Sequence, residues 1–145
     1  MTLISYNDLS AFKMYLIDVG LLRRKTDLDS KIIIEGNKLF QEFKGALTEN
    51  FVLQSLIAHG LHPYYFAFDN RYEIDFIVQY RNEIIPIKVK SGESTNNTSL
   101  RVYNEIYKPK TRIRFSMNNL TKDGNLINIP LFMVEYVDKM INKTS

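Results

Sequence analysis

The chain has 145 residues, of which 45% are hydrophobic, 24% charged and 12% aromatic, and its formal net charge is +3. This is the composition of one globular domain, and no apolar run reaches the roughly 18 residues that a transmembrane helix needs. The chain contains no cysteine, which excludes disulfides, thiolate metal sites and a cysteine nucleophile. Its N-terminus has no signal-peptide pattern, so we expect a cytoplasmic protein.

The first 36 residues have the least regular pattern, with one loosely alternating, strand-like stretch at 12–18. We expect them to form an N-terminal extension that packs on the rest of the domain. From 37 to 59 apolar residues recur around most of the helix circumference, and Gly60 is a suitable C-terminal stop. This pattern predicts a helix that is buried all round.

The remaining elements follow in the order strand, strand, strand, helix, strand and strand, over residues 63–68, 72–80, 83–90, 98–107, 110–115 and 126–129. A turn is predicted at 122–125, and Pro130 suits the first turn of a last helix or extension. Neighbouring strands without a helix between them favour hairpins. The sequence therefore predicts a single α/β domain over residues 1–145, with its core at 37–134.

Charged side chains fall on strands that otherwise look buried. Because strand side chains alternate, Glu73 and Asp75 are predicted to share a face with Ile77. In the next strand Lys88 and Lys90 lie opposite the apolar face. If the two strands pair as a hairpin, the two carboxylates should lie near the two lysines.

Three short motifs, in order along the chain, resemble a known fold. Glu49 lies in LTENFV, Asp75 in EIDF and Lys90 in IPIKVKSG. Together with FKMYLIDVGL at 12–21 and the later LRVY and IPL, they resemble the PD-(D/E)XK fold. More narrowly, they resemble the nuclease-like domain of unknown function that follows the AAA-type ATPase domain in many bacterial and archaeal ATPases. The resemblance covers residues 11–134.

This resemblance implies a restriction-endonuclease-like fold, in which a mixed β-sheet core is flanked by helices. It also implies that the chain is the C-terminal part of a longer ATPase, whose ATPase module precedes it. In active members of the fold, the helical Glu and the strand carboxylates hold Mg²⁺ while the Lys activates water. Carried over, Glu49, Asp75 and Lys90 are the catalytic candidates. Glu49 and Asp75 are the metal candidates, with Glu73 as a replacement ligand.

The chain departs from this pattern two residues before Lys90, where an acid is expected and Lys88 stands. The change removes an anionic ligand and adds a cation, so Glu49, Asp75 and the two lysines are neutral together and can close into an ion-pair cluster. We therefore expect a degenerate site, with Mg²⁺ required only if the nuclease interpretation holds. Simpler roles stay open: an Asp75–Lys90 pair across the hairpin, an edge-protecting Lys88, or a solvent-facing Glu49.

A second feature is a basic segment in which tyrosines are interleaved. Its cations are Arg101, Lys108, Lys110, Arg112 and Arg114, and Tyr103 and Tyr107 lie among them. Such a stripe can bind phosphates, and a nearby tyrosine can stack on a base. The alternative is a solvated face of an α/β domain.

The leading interpretation is an accessory domain of an AAA-type ATPase, with a degenerate nuclease-like site, that binds nucleic acid or a protein partner. The chain has no phosphate-binding loop of the G-x-x-x-x-G-K-[ST] type, so no ATPase activity is expected from it alone. One alternative is an active Mg²⁺-dependent DNA nuclease. Another is a structural module that forms a homo-oligomer through the apolar strand at 63–68.

Overall fold

The computed structural model describes Tyr15, residues 38–92 and residues 98–142, and their side chains except those of 38–43. The expected N-terminal extension and the strand-like stretch at 12–18 lie outside the described residues, apart from Tyr15. Within this part of the chain, no helix is long and apolar enough to cross a membrane.

The described residues form a mixed α/β domain, as the sequence predicted. In chain order the elements are α1 (Lys38–Ala58), β1 (Tyr64–Phe68), β2 (Tyr72–Tyr80), β3 (Glu83–Val89), α2 (Thr98–Tyr107), β4 (Arg112–Ser116), β5 (Thr121–Asp123), β6 (Leu126–Pro130), a 3-10 helix (Leu131–Tyr136) and α3 (Val137–Asn142).

The six strands form one sheet in the order β1-β2-β3-β4-β6-β5. The first three strands are an antiparallel meander, as the short turns between them predict. The chain then crosses over through α2, so that β4 pairs in parallel with β3, and β6 pairs in parallel with β4. The C-terminal ends of β3, β4 and β6 consequently meet at one edge of the sheet.

The two faces of the sheet carry separate apolar clusters. Side chains of β2, β3, β4 and β6 pack with α1 and with the C-terminal helical segments, around the fully buried Val52, Leu56 and Phe115. On the opposite face, aromatic residues of β1 and β2 pack with Leu100 and Tyr103 of α2. The sheet is therefore covered on both faces, as mixed sheets with a helical crossover usually are.

The helix α1 is buried on one side only. Val52 and Leu56 have no exposed surface, whereas Phe51 is 43% and Ile57 56% exposed. The expectation of a helix buried all round is wrong, because only one side of α1 meets the sheet. Its end was predicted correctly: Gly60 has a φ of +75°, which lets the chain turn back into β1.

The second strand contains an irregularity that sets the geometry of the site. Tyr64 pairs with Ile77 and Phe66 with Ile74, so β2 uses one more residue than β1 over this stretch. The extra residue forms a β-bulge at positions 75–76. A bulge bends its strand and re-aims the side chains beside it.

The bulge changes which residues share a face. Ile74 and Ile77 both lie in the α2-side cluster, while Phe76 lies in the α1-side cluster. Strict alternation predicted Glu73 and Asp75 on the face of Ile77, and that grouping is wrong. Glu73, one residue before Ile74, faces the α1 side, and Asp75 lies at the bulge itself.

The C-terminal part differs from prediction in two places. The stretch predicted as a turn contains the start of a hairpin, because β5 pairs with β6 around Gly124, whose φ is +56°. All three residues of β5 are exposed, so no apolar alternation marked it as a strand. The predicted last helix is a 3-10 turn followed by the short α3.

Candidate functional site

Asp75 is a charged side chain with no exposed surface. Its Oδ1 lies 2.7 Å from Lys88 Nζ, and its Oδ2 accepts a hydrogen bond of 2.7 Å from the backbone N–H of Val89. The carboxylate therefore fills the gap that opens where β2 and β3 separate beyond the Phe76–Ile87 pair. Both oxygens bind donors supplied by the protein itself.

Lys88 is the counterion of Asp75, at the position where the nuclease-like pattern has an acid. Its side chain is 16% exposed, and Nζ also lies 3.4 Å from the carbonyl oxygen of Glu73. Because β3 lies between β2 and β4, Lys88 does not protect an edge of the sheet, and that alternative is wrong. The pairing of β2 with β3 as a hairpin brings Asp75 and Lys88 into contact.

Lys90 follows the end of β3 and is half-buried. Its backbone N–H donates to the carbonyl of Phe115 at 2.8 Å, which extends the pairing with β4. Among the described residues the salt bridge of Asp75 is with Lys88 rather than Lys90. The simple alternative of an Asp75–Lys90 pair is therefore wrong.

Glu49 faces inward from α1 and is hydrogen-bonded to a residue that sequence reasoning did not single out. The Tyr15 hydroxyl donates to Glu49 Oε2 at 3.4 Å. Burial, followed by the negative charges of Glu49, Asp75 and Glu73, raises the pKa of Tyr15, so its hydroxyl remains protonated. The alternative of a solvent-facing Glu49 is wrong, and the negative charges of all three carboxylates act on this one phenol.

Tyr15 reaches this position because its ring packs on the core. Its ring centroid is 5.8 Å from that of Phe76, which sits at the bulge. Tyr15 lies in the FKMYLIDVGL stretch, so the resemblance marked the segment. Nothing in the pattern of one chain indicated which side chain of that segment meets Glu49.

The Glu73 carboxylate is hydrogen-bonded to a residue of β1. The Tyr65 hydroxyl donates to Glu73 Oε2 at 3.3 Å. Both residues lie on the α1 side of the sheet, which is where the bulge directs Glu73. The carboxylate candidates thus come from two elements, α1 and β2.

The residues present do not fit a Mg²⁺ site as they stand. In the part of the chain that the structure describes, no three Asp, Glu or His side chains are grouped so that they could hold one metal ion. Asp75 is buried, with both oxygens engaged by Lys88 and Val89. A cation there would have to displace an ammonium group that is already 2.7 Å from the carboxylate.

The basic segment divides into internal and exposed members, and Arg112 belongs to the first group. Its Nε and Nη2 donate to Asn125 Oδ1 at 2.9 and 2.7 Å, and its Nη1 donates to the Leu100 carbonyl at 3.2 Å. Burial lowers the pKa of Arg112. This guanidinium joins β4 to α2 and to the β5–β6 turn.

Arg114 is half-buried and is also hydrogen-bonded within the domain. Its Nε donates to Asn128 Oδ1 at 2.6 Å, and burial lowers the pKa of Arg114. The fully buried Asn128 accepts a second bond from Ser116 Oγ and donates to the carbonyl oxygens of Asn118 and Asn119. Arg112 and Arg114 alternate with apolar residues as predicted, and both are half-buried rather than fully exposed.

The exposed members are Arg101, Lys108 and Lys110. Lys110 is 81% exposed and lies 3.3 Å from Glu83 Oε1. Such a surface pair contributes little stability and exchanges readily with other ions. Arg101 lies in the first half of α2, and Lys108 and Lys110 lie in the turn that leads from α2 into β4.

Fold and site together define a mixed α/β domain with a closed acid–lysine pair in its interior and an exposed basic turn beside α2. The chain belongs to the family described as "Domain of unknown function (DUF4143)", which matches residues 44–132. That span runs from α1 to the start of the 3-10 helix. No curated protein and no solved structure matches the chain.

Proposed function

We propose that this domain is a non-catalytic, nuclease-like accessory module of an AAA-type ATPase and that it binds nucleic acid through its exposed cations. The observation that carries the proposal is the 2.7 Å contact between Lys88 Nζ and the buried Asp75 carboxylate. In an active nuclease of the PD-(D/E)XK fold, which the sequence motifs resemble, the corresponding carboxylate holds a metal ion. Here it is neutralised by a lysine from the neighbouring strand.

The charge balance supports a closed site. A buried carboxylate is tolerated when it is paired and its oxygens are hydrogen-bonded, and both conditions hold for Asp75. The same contacts remove the free anionic oxygens that metal-assisted hydrolysis needs. The arrangement therefore favours a structural role for Asp75 and Lys88, although the sequence around them resembles that of a catalytic site.

Binding is assigned to the exposed cations of α2 and the following turn. Arg101, Lys108 and Lys110 reach solvent, whereas Arg112 and Arg114 are held by internal hydrogen bonds. Phosphate contacts from such cations supply affinity without sequence preference. The resemblance in residues 12–21 and in the three site motifs supports the association with an ATPase module, which would act on the nucleic acid that this domain holds.

The test compares two double variants that change net charge equally. Arg101→Glu with Lys108→Glu should weaken binding to a labelled DNA at least about tenfold at low salt and reduce its salt dependence, as measured by fluorescence anisotropy. Arg71→Glu with Lys122→Glu, which alters two exposed cations elsewhere, is the matched control and should have a much smaller effect. An equal loss of DNA affinity in the two double variants, or no DNA binding by the wild-type protein, would contradict the proposal.

Two further outcomes separate the alternatives. Cleavage of plasmid DNA with Mg²⁺ or Mn²⁺, abolished by Asp75→Asn, would establish the nuclease and overturn the non-catalytic assignment. Concentration-dependent dimerisation without nucleic-acid binding would favour the structural module. The uncharged β1, which lies at the end of the sheet, would then be the first surface to examine.

A further inference from the structure

Tyr107, the last residue of α2, is an exposed aromatic ring on a rigid support. It is 48% exposed, yet its centroid lies 4.6 Å from that of Tyr103 and 5.9 and 6.1 Å from those of Phe66 and Phe68. The last two contacts are edge-to-face, a favoured geometry for aromatic pairs. The ring is therefore fixed from the protein side while much of its surface faces solvent.

The turn after Tyr107 is fixed as well. Lys108 has a φ of +47°, a left-handed conformation that costs a non-glycine residue roughly 1 kcal/mol or more. Its backbone N–H donates to the Asn104 carbonyl at 3.0 Å. The Asn125 amide donates to Asn104 Oδ1 and to the Pro109 carbonyl, both at 2.8 Å. The strained turn is thus held from α2 and from the β5–β6 turn.

This turn presents cations next to the ring. Lys108 is exposed directly after Tyr107, and Lys110 is exposed beyond Pro109. The acids nearby are Glu105 on α2 and Glu83, which contacts Lys110 at 3.3 Å. That contact is solvent-exposed on the lysine side, so a phosphate can replace it at small cost.

We infer that the nucleic acid bound here is single-stranded and that one of its bases stacks on Tyr107. The inference rests on the proposed function and specifies its substrate. Base–aromatic stacking contributes about 1–3 kcal/mol per base and needs a base whose face is free. In a duplex both faces of a base are covered by its neighbours, so the ring could not be used. The flanking lysines bind the phosphates on either side of the stacked base.

The experiment measures anisotropy of a labelled 20-nucleotide oligothymidine and of a duplex of equal length. The wild-type protein should bind the single strand more tightly. Tyr107→Ala should weaken that binding about 5- to 150-fold, which is the stacking contribution expressed as affinity. Its salt dependence should be unchanged, because no phosphate contact is lost. Tyr107→Phe should bind like the wild type.

Tyr136 supplies a matched control, because it is also 48% exposed. Tyr136→Ala should leave binding unchanged. Tyr107→Leu keeps apolar contact with the supporting rings but lacks a flat face, and it should show the same loss as Tyr107→Ala. This second variant separates loss of stacking from local loosening of the aromatic support.

Two results would count against the inference, and they are distinguishable from failure of the proposed function. If the duplex binds as tightly as the single strand, or if the Tyr107 and Tyr136 variants behave alike, stacking on Tyr107 is wrong while nucleic-acid binding stands. If neither probe binds at any salt concentration, the proposed function itself fails.

Discussion

Asp75 and Lys88 place two opposite charges inside the sheet, where each alone would be costly. Removing an ion from water costs several kcal/mol, and a buried pair recovers this only with close contact and further hydrogen bonds. The backbone N–H of Val89 supplies such a bond to the second oxygen of Asp75. Each of the two side chains therefore lowers the free-energy cost of burying the other.

Asp75→Ala should consequently destabilise the domain by about 3–5 kcal/mol, because it leaves the largely buried ammonium of Lys88 without its carboxylate counterion. The measurement is urea denaturation followed by circular dichroism. Arg71→Ala is the control, since the Asp69–Arg71 pair is 58% and 74% exposed and should contribute less than about 1 kcal/mol. Equal effects of the two substitutions would show that the Asp75 pair is not desolvated.

Two asparagines illustrate how burial and hydrogen bonding act together. Asn50 and Asn128 are each 1% exposed. Within the described part of the chain, both amide atoms of Asn50 lack a hydrogen-bond partner, whereas those of Asn128 bind four groups. A buried polar atom without a partner costs about 1–3 kcal/mol.

The two positions should therefore respond in opposite directions to the same change. Asn50→Leu should raise the melting temperature, because it removes an unsatisfied amide from α1 and adds apolar volume. Asn128→Leu should lower it, because Arg114 Nε loses its acceptor. Thermal unfolding monitored by circular dichroism gives both values. A lower melting temperature for Asn50→Leu would indicate that the amide has a partner in solution.

At the scale of elements, α2 is attached to the sheet by an aromatic cluster with its own pH dependence. Burial, and to a smaller extent the neighbouring Tyr107, raises the pKa of Tyr103 to about 12. Below pH 10 the phenol is protonated in both states and stability is unaffected. Between pH 10 and 12 the unfolded chain releases the proton and the folded one keeps it, so the free energy of unfolding falls with rising pH.

The expected loss from Tyr103 is on the order of 2–3 kcal/mol by pH 12. It is measured as the difference between the wild-type protein and Tyr103→Phe in urea denaturation series at pH 9, 10, 11 and 12. The Phe variant should lose less stability over this range, because its ring cannot ionise in either state. Parallel pH profiles of the two proteins would place the Tyr103 hydroxyl in contact with water.

Across the whole molecule, much of the fold could be predicted from the sequence, because the elements differ in their apolar pattern. The nine residues of β2 were predicted with both ends correct, and α1 and α2 to within a residue or so. The short β5 was missed, since a strand with three exposed residues at the end of a sheet has no apolar alternation to mark it.

The site could be predicted only in part. Pairing the hairpin strands was enough to bring Asp75 near the lysines, because a short turn fixes which residues lie opposite each other. It could not decide between Lys88 and Lys90. Nor could it separate Arg112 and Arg114 from the exposed cations, because their partners Asn125 and Asn128 lie on a strand or turn that is distant in sequence.

The extra residue in β2 also constrains how this domain can vary. The alternation of side chains between the two faces of the sheet changes phase at this residue. Side chains before the bulge therefore lie on the opposite face from the one that strict alternation with the residues after it would give. Point substitutions cannot restore the regular alternation. A one-residue deletion between Ile74 and Ile77 would, but it would remove either Asp75, the counterion of Lys88, or Phe76, a core side chain. Change in this strand is therefore easier by replacement of side chains than by change of length.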